Sequence, residues 1–210
     1  MTSSRRYPVP AGIHRAERVV ERSRFIATVG HAASPEAARL FVSGVAAEFP
    51  DASHNCWAYV AGPPGDTARI GMSDAGEPRG TAGRPMLNAL LGSGVGDVAA
   101  VVTRYFGGLK LGTGGLARAY AASVMDALAS LPTVEHVERV ELRLEAAYAG
   151  LRELERLLDD VGASVVEQTY GAGVLLRVSV PRDEEARLRQ ALESLRGLAR
   201  VIPAGTDPSR

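Results

Sequence analysis

The sequence predicts an α+β protein built from two domains, residues 1–131 and residues 132–210. A long alanine-rich helical stretch ends at Leu131-Pro132-Thr133, and the hydrophobic pattern changes character after it. Before this break, predicted strands and helices mix without strict β-α-β alternation. That mixture favours an α+β fold over a doubly wound parallel sheet.

The second domain shows the order β-α-β-β-α-β. In its predicted strand segments, apolar residues alternate with charged ones. In its two predicted helical segments, apolar residues recur at helical spacing. Gly162 and Gly197 follow the two helical segments, as C-terminal caps do. The predicted strands cover residues 136–148, 163–170, 174–180 and 199–203, and the predicted helices cover 150–162 and 181–197. This order is the ferredoxin-like arrangement, and no residue in it indicates catalysis.

The first domain is less regular and richer in glycine. Ser34 is a predicted N-cap, with Pro35 at the first helical position. Strands are predicted at residues 24–31, 54–60, 69–72 and 97–106, and helices at 35–49, 81–91 and 115–131. The turn at residues 62–66 predicts that the second and third of these strands pair.

Composition excludes several classes of protein. Of the 210 residues, 46% are hydrophobic and 23% are charged, as in soluble globular proteins. The longest aliphatic run, residues 98–102, is far shorter than the ~20 residues that cross a bilayer. Because no secretory signal is present either, we expect a cytoplasmic protein without a membrane partner. The single cysteine, Cys56, excludes an internal disulfide and a multi-thiolate site, and we expect no metal and no cofactor.

The charge is balanced overall but divided unevenly. The chain has 24 basic and 24 acidic residues, which excludes a globally basic nucleic-acid binder. Residues 1–131 hold 13 basic and 10 acidic side chains, a net charge of +3, whereas residues 132–210 have a net charge of −3. An anionic partner is therefore expected to contact the first domain.

Three segments of the first domain combine unusual residues, and the first is HNCWAY at residues 54–59. In a strand, His54 and Cys56 face one side, and Asn55, Trp57 and Tyr59 face the other. A Cys–His nucleophile pair needs a geometry that alternate strand positions rarely give. We therefore favour a buried Cys56 with a hydrogen-bonded His54. The aromatic residues are open to two interpretations, core packing or stacking on bases.

The second segment, residues 73–85, holds three glycines, two prolines, two carboxylates and two arginines, which is typical of an ordered polar loop. Asp74 and Glu77 are candidates for an acid–base or metal-binding pair. Because no third oxygen ligand is evident, we favour an interpretation in which Asp74 caps a turn and Glu77 pairs with Arg79 or Arg84. With His54, these four residues form a possible polar site.

The third segment, residues 103–120, joins a strand to a helix through a loop with five glycines and the only lysine. Arg104, Lys110 and Arg118 are expected to converge on one anion beside the free amides of the helix N-terminus. The segment is neither a Walker A loop nor a dinucleotide fingerprint. The alternative is that the glycines serve only tight turns and close packing. The predicted anion or nucleic-acid site consists of Arg104, Gly107, Gly108, Lys110, Gly112, Gly114, Gly115 and Arg118.

AEFPDASHNCWAYV, SDAGEPRGTAGRPML and VVTRYFGGLKLGTGGLARAY resemble signature segments of the IMPACT/YigZ family. The resemblance is strong over residues 15–131, and it implies a ribosomal-protein-S5-domain-2-like fold for the first domain. The second domain resembles the C-terminal domain of bacterial YigZ proteins and late domains of elongation factor G. Eukaryotic members regulate translation by binding the activator of the kinase that acts on initiation factor 2. Those members carry an additional N-terminal RWD domain that this sequence does not match, and the family supplies no established catalytic residue.

Two functions follow from these observations. The first is a translation-associated regulatory protein that binds RNA, the ribosome or a translation factor through the glycine-rich cationic loop. The alternative is an enzyme that acts on a phosphorylated small molecule or nucleotide, with Asp74 or Glu77 as base. Because no nucleotide-binding signature and no nucleophile–base pair is visible, we favour binding and name no catalytic residue. The sequence leaves the partner's identity and the oligomeric state open.

Overall fold

The computed structural model describes residues 6–195 and 197–203 of the chain. These residues form two compact units. The first unit is Tyr7–His136, and the second contains Arg6 and the described residues from Val137 onward.

The first unit is organised around a five-stranded sheet in which all neighbouring strands are antiparallel. The strands lie in the order β2-β3-β6-β4-β5, so the most apolar strand, β6, is central. A separate two-stranded sheet pairs β1 with β7. The strands are β1 (Arg6–Pro10), β2 (His14–Val20), β3 (Ser23–His31), β4 (His54–Val60), β5 (Ile70–Ser73), β6 (Val98–Tyr105) and β7 (Thr133–Val137).

Three helices cover the two faces of the larger sheet: α1 (Pro35–Glu48), α2 (Gly83–Leu91) and α3 (Gly112–Ala129). Helices α2 and α3 pack against one face and enclose the main apolar core. Helix α1 covers a smaller cluster on the other face. Because side chains alternate along a strand, positions 54 and 56 of β4 and 102 and 104 of β6 face α2 and α3. The polar residues His54 of β4 and Arg104 of β6 therefore lie on this face, near the ends of their strands.

The second unit is a four-stranded antiparallel sheet with two helices. Its strands lie in the order β11-β8-β10-β9, and leucine and valine side chains from strands and helices form its core. Its elements are β8 (Arg139–Ala146), a 3-10 helix (Tyr148–Gly150), α4 (Leu151–Asp160), β9 (Ser164–Tyr170), β10 (Val174–Pro181), α5 (Glu185–Ser194) and β11 (Ala199–Ile202).

The predicted α+β class is confirmed, and each predicted strand and helix has a counterpart. The predicted cap of α1 is confirmed as well, since Ser34 Oγ accepts the Ala37 N–H at 3.2 Å. Strands β1, β2 and most of β7 were not predicted. The β2–β3 turn carries no glycine or asparagine, and Glu21 and Arg22 adopt its left-handed conformation at φ +45° and +64°. The turn therefore lacks the usual hairpin signal.

Candidate functional site

Glu77 and Arg104 form a buried ion pair in the first unit. Arg104 Nη1 donates to Glu77 Oε1 at 2.5 Å, and the side chains are only 6% and 3% exposed. Glu77 lies in the loop before α2, and Arg104 lies near the end of β6. The prediction that Glu77 pairs with Arg79 or Arg84 is wrong: both arginines are exposed, whereas a buried carboxylate needs a buried partner.

Hydrogen bonds connect this pair to two further elements. Tyr120 of α3 donates its hydroxyl to Glu77 Oε1 at 2.8 Å. Arg104 Nη2 donates to Ser23 Oγ, at the start of β3, at 3.3 Å. The pair therefore joins β3, β6, α3 and the loop before α2 at one buried point.

Two aromatic rings enclose the Arg104 guanidinium. Its Cζ lies 5.4 Å from the ring centroid of Phe25 and 5.5 Å from that of Phe106, the distances of cation–π contacts. The expected convergence of Arg104 with Lys110 and Arg118 is therefore wrong for Arg104. Strand alternation turns its side chain toward the core, where Glu77 neutralises it.

Cys56 lies beside the same network and is fully buried, as predicted. Its Sγ is 2.9 Å from the carbonyl oxygen of Asp74 and 3.4 Å from the Tyr120 hydroxyl oxygen. Burial raises the pKa of the thiol to about 12, and burial also raises the pKa of Tyr120. Because the thiolate is the nucleophilic form, this raised pKa disfavours a nucleophilic role for Cys56 near neutral pH.

Asp74 caps helix α2 although it precedes Ala82, the N-cap residue, by eight positions. Its carboxylate accepts backbone N–H groups from Gly80 at 2.7 Å and from Ala82 and Gly83 at 2.9 Å each. Ala82, at the N-cap position, has no side chain that could do this. Burial opposes the charge of Asp74, but the three amide donors outweigh it and lower the pKa. The turn that Asp74 was expected to cap is therefore the first turn of α2.

His54 lies at the solvent-facing edge of the network. Its Nδ1 donates to the Ala75 carbonyl at 2.9 Å, which confirms the predicted hydrogen-bonded histidine. Its Nε2 lies 4.0 Å from Glu77 Oε1, and 26% of its side chain is exposed. His54 therefore fastens the loop before α2 to strand β4.

Lys110 and Arg118 border an open cleft of about 570 Å³ beside the start of α3. Both side chains are exposed, and neither has a hydrogen-bond or ion-pair partner within residues 6–195 and 197–203. Arg18 also lines this Lys110–Arg118 cleft, but its N–H groups bind the Asp126 carboxylate at 2.8 and 2.9 Å. Two of the three predicted cations therefore remain available to a ligand.

The glycines before α3 allow the chain to pack closely beside the cleft. A Cβ on Gly107 would lie 2.1 Å from the carbonyl carbon and oxygen of Arg22, and the Gly107 N–H donates to Ser23 Oγ at 3.1 Å. Gly108 and Gly112 have φ values of +87° and +68°. The remaining predicted glycines, Gly114 and Gly115, lie in the first turn of α3, which has no acidic residue.

Sequence reasoning missed Tyr120 and Ser23. Tyr120 follows Leu116 by four residues, so helical spacing marks it as part of the buried face but does not identify Glu77 as its partner. Ser23 follows a turn that had no sequence signal. The alternation of side chains along β6 does indicate that Arg104 is buried, because Arg104 lies on the same face as the buried Val102.

Known protein families and individual relatives match most of the chain. The Impact N-terminal domain family matches residues 21–128, and a domain of unknown function, DUF1949, matches residues 144–195. IMPACT family member YigZ of Escherichia coli (strain K12) is 45% identical over 88% of this chain and 90% of its own. An IMPACT family member of Haemophilus influenzae is 42% identical over 83% and 84%. A crystal structure of a hypothetical protein is 41% identical, with a TM-score of 0.70 over 96% of this chain and 98% of its own.

The fold and site define a two-unit α+β protein in which a buried Glu–Arg pair joins the segments around a cationic cleft. With relatives above 40% identity over most of its length, the chain belongs to the IMPACT family. This membership supports a translation-associated regulatory role in general terms.

Across the part of the chain that the structure describes, no helix is long and apolar enough to cross a membrane. Within the same residues, no group of three or more His, Cys, Asp or Glu side chains is placed to hold a metal ion.

Proposed function

We propose that this protein takes part in translation regulation by binding RNA, free or within the ribosome, through the Lys110–Arg118 cleft. The observation that carries the proposal is that Lys110 and Arg118 are exposed at one cleft and have no partner among the residues that the structure describes. Contacts from such side chains to phosphates dominate the affinity of RNA-binding proteins. The net charge of +3 on residues 1–131, which contain this cleft, also favours an anionic ligand there.

The proposal extends to the folds of the two units. We assign the ribosomal-protein-S5-domain-2-like fold to the first unit and the ferredoxin-like fold to the second, with the domain boundary after residue 131. The element order β-α-β-β-α-β and strand order β11-β8-β10-β9 support the second assignment. Both folds recur among translation proteins, although fold analogy carries less weight than a site.

The alternative function, an enzyme with Asp74 or Glu77 as its base, has less support. The Asp74 carboxylate accepts three backbone amides, and Glu77 is paired with Arg104 and Tyr120. Both carboxylates therefore have structural partners, whereas a general base must reach a substrate proton. Lys110 and Arg118 would serve phosphate binding in either function.

Fluorescence anisotropy with a labelled single-stranded RNA of mixed sequence tests the proposal. We expect Lys110→Ala and Arg118→Ala each to weaken binding about tenfold at low salt, since each removes a charge-assisted contact. Arg39→Ala is the matched control, because Arg39 is an exposed arginine on α1 across the sheet. Unchanged affinity in both cleft variants would overturn the proposal.

A further inference from the structure

The Lys110–Arg118 cleft is chemically mixed. Three cationic side chains line it, together with one carboxylate, Glu21, and several apolar side chains: Val20, Leu109, Leu111, Ala119 and Ala122. Val20 and Leu111 are half-buried and also pack against the main core, so these two side chains are held in place, whereas Leu109 is exposed. A ligand that offers only phosphates would leave the apolar surface and the carboxylate unused.

Glu21 offers the ligand a hydrogen-bond acceptor. Its side chain is exposed, and no partner for it is found within residues 6–195 and 197–203. An ionised carboxylate only accepts hydrogen bonds, and phosphate oxygens have none to donate. Base amino groups and ribose 2′-hydroxyl groups do have protons to donate. A ligand that satisfies both the cations and Glu21 therefore combines phosphate with such a donor.

The cleft is held in shape by its neighbours. Glu21 and Arg22 adopt a left-handed turn, and the Gly107 backbone packs directly against Arg22. Arg18 is fixed by its two bonds to Asp126. A preformed site of this kind reduces the ordering that binding requires.

We propose that the Lys110–Arg118 cleft holds one unpaired nucleotide of single-stranded RNA. Its phosphate would lie at Lys110 and Arg118, its base against the apolar lining, and a base amino or ribose hydroxyl group at Glu21. The volume of about 570 Å³ lies within the range of small-ligand sites. A base in a duplex is stacked and paired and must leave the stack to enter such a cleft. This inference rests on the proposed function and narrows its ligand.

A comparison of the binding of four ligands tests the proposal that the cleft holds one unpaired nucleotide. One labelled RNA is measured alone and annealed to its complement, and adenosine monophosphate and inorganic phosphate compete for the single-stranded complex. We expect the single strand to bind at least about tenfold more tightly than the duplex. The nucleotide is expected to compete at least about tenfold better than phosphate, because it fills the apolar lining as well.

Ala122→Leu tests the cleft without changing its charge. The larger side chain fills space along α3, so single-strand binding should fall about tenfold while the weaker duplex binding persists. Ala121→Leu is the matched control, because Ala121 is an equally half-buried neighbour outside the lining. Thermal unfolding checks that both variants fold, and the competition experiment needs neither variant.

The outcomes separate the two proposals. Equal affinity for single strand and duplex, with Lys110→Ala weakening both, would overturn this inference and leave the proposed function standing. Failure of both RNAs to bind would overturn both proposals. Binding of adenosine monophosphate without any RNA binding would also overturn both and assign the cleft to a free nucleotide.

Discussion

Glu77 is the residue on which the buried polar contacts of the first unit converge. Arg104 and Tyr120 donate to the same carboxylate oxygen, and the pair is almost fully buried. Glu77→Gln leaves the Arg104 charge uncompensated inside the domain. We expect the free energy of unfolding to fall by about 3–5 kcal/mol, measured by urea denaturation.

Two comparisons separate this effect from a general loss of polar contacts. Glu48→Gln, which breaks an exposed ion pair with Arg15, should change stability little. The double variant Glu77→Gln with Arg104→Met should recover part of the loss, because neither charge of the pair remains. A loss below about 1 kcal/mol in the single variant would contradict the assigned role of the pair.

Asp74 makes the free energy of unfolding depend on pH in the acid range. Its folded pKa lies below the ordinary value of 3.8, so its contribution is present above that value. The contribution is lost as pH falls through the folded pKa. We expect Asp74→Asn to be less stable than the wild type at neutral pH and the difference to shrink below about pH 3.8. Denaturant unfolding across this range measures it, and a constant difference would rule out the capping charge.

Cys56 is predicted to behave as a core thiol. With a pKa of about 12, it should react slowly with a thiol reagent in the native protein and rapidly after denaturation. Cys56→Ala should lower the free energy of unfolding by about 1 kcal/mol and leave RNA affinity unchanged. Rapid labelling of the native protein would instead indicate a reactive site.

At the scale of elements, the loop between β6 and α3 gives a matched pair of glycine substitutions. Gly107→Ala places a methyl group against the Arg22 backbone, which cannot move aside as a flexible side chain would. We expect it to destabilise the domain by more than about 1 kcal/mol and to weaken RNA binding by displacing the loop. Thermal unfolding and anisotropy measure the two effects.

Gly114→Ala is the control within the same segment. Its Cβ would meet only the flexible Arg118 guanidinium at 3.6 Å, and alanine favours the helix over glycine. Stability should stay equal or rise by about 0.5–1 kcal/mol. Equal losses in the two variants would argue against the close approach of the loop to the β2–β3 turn.

The elements that sequence can predict are those with a strong hydrophobic pattern. Helix α4 is predicted because its buried residues recur at the helical period, and strand β6 is predicted because it opens with an uninterrupted apolar run. Strand β2 alternates exposed and half-buried residues at a sheet edge and has no buried residue, so its signal is weak. The site was predicted in part: Lys110 and Arg118 share a cleft, but the pairing of Arg104 with Glu77 joins residues 27 positions apart, which no local pattern encodes.

At the scale of the whole molecule, the second unit should be an independent folding unit. Its core is formed by its own strands and helices, and the two compact units part between His136 and Val137. We expect residues 137–210, expressed alone, to unfold in a single cooperative transition by circular dichroism. A fragment without such a transition would contradict the two-domain organisation.

The division of charge predicts which unit binds RNA. The first unit carries the cleft, whereas residues 132–210 have a net charge of −3. Arg182→Ala, in the second unit, should therefore leave RNA affinity unchanged by anisotropy. A marked loss of affinity in this variant would locate RNA contacts outside the cleft.

The salt dependence of RNA affinity tests the central claim most directly. The logarithm of the association constant of single-stranded RNA is measured against the logarithm of salt concentration for the wild type, Lys110→Ala, Arg118→Ala and Arg39→Ala. If Lys110 and Arg118 each contact a phosphate, each cleft variant should reduce the slope by about 0.7, and Arg39→Ala should reproduce the wild-type slope. Four identical slopes would show that the Lys110–Arg118 cleft does not bind the RNA backbone.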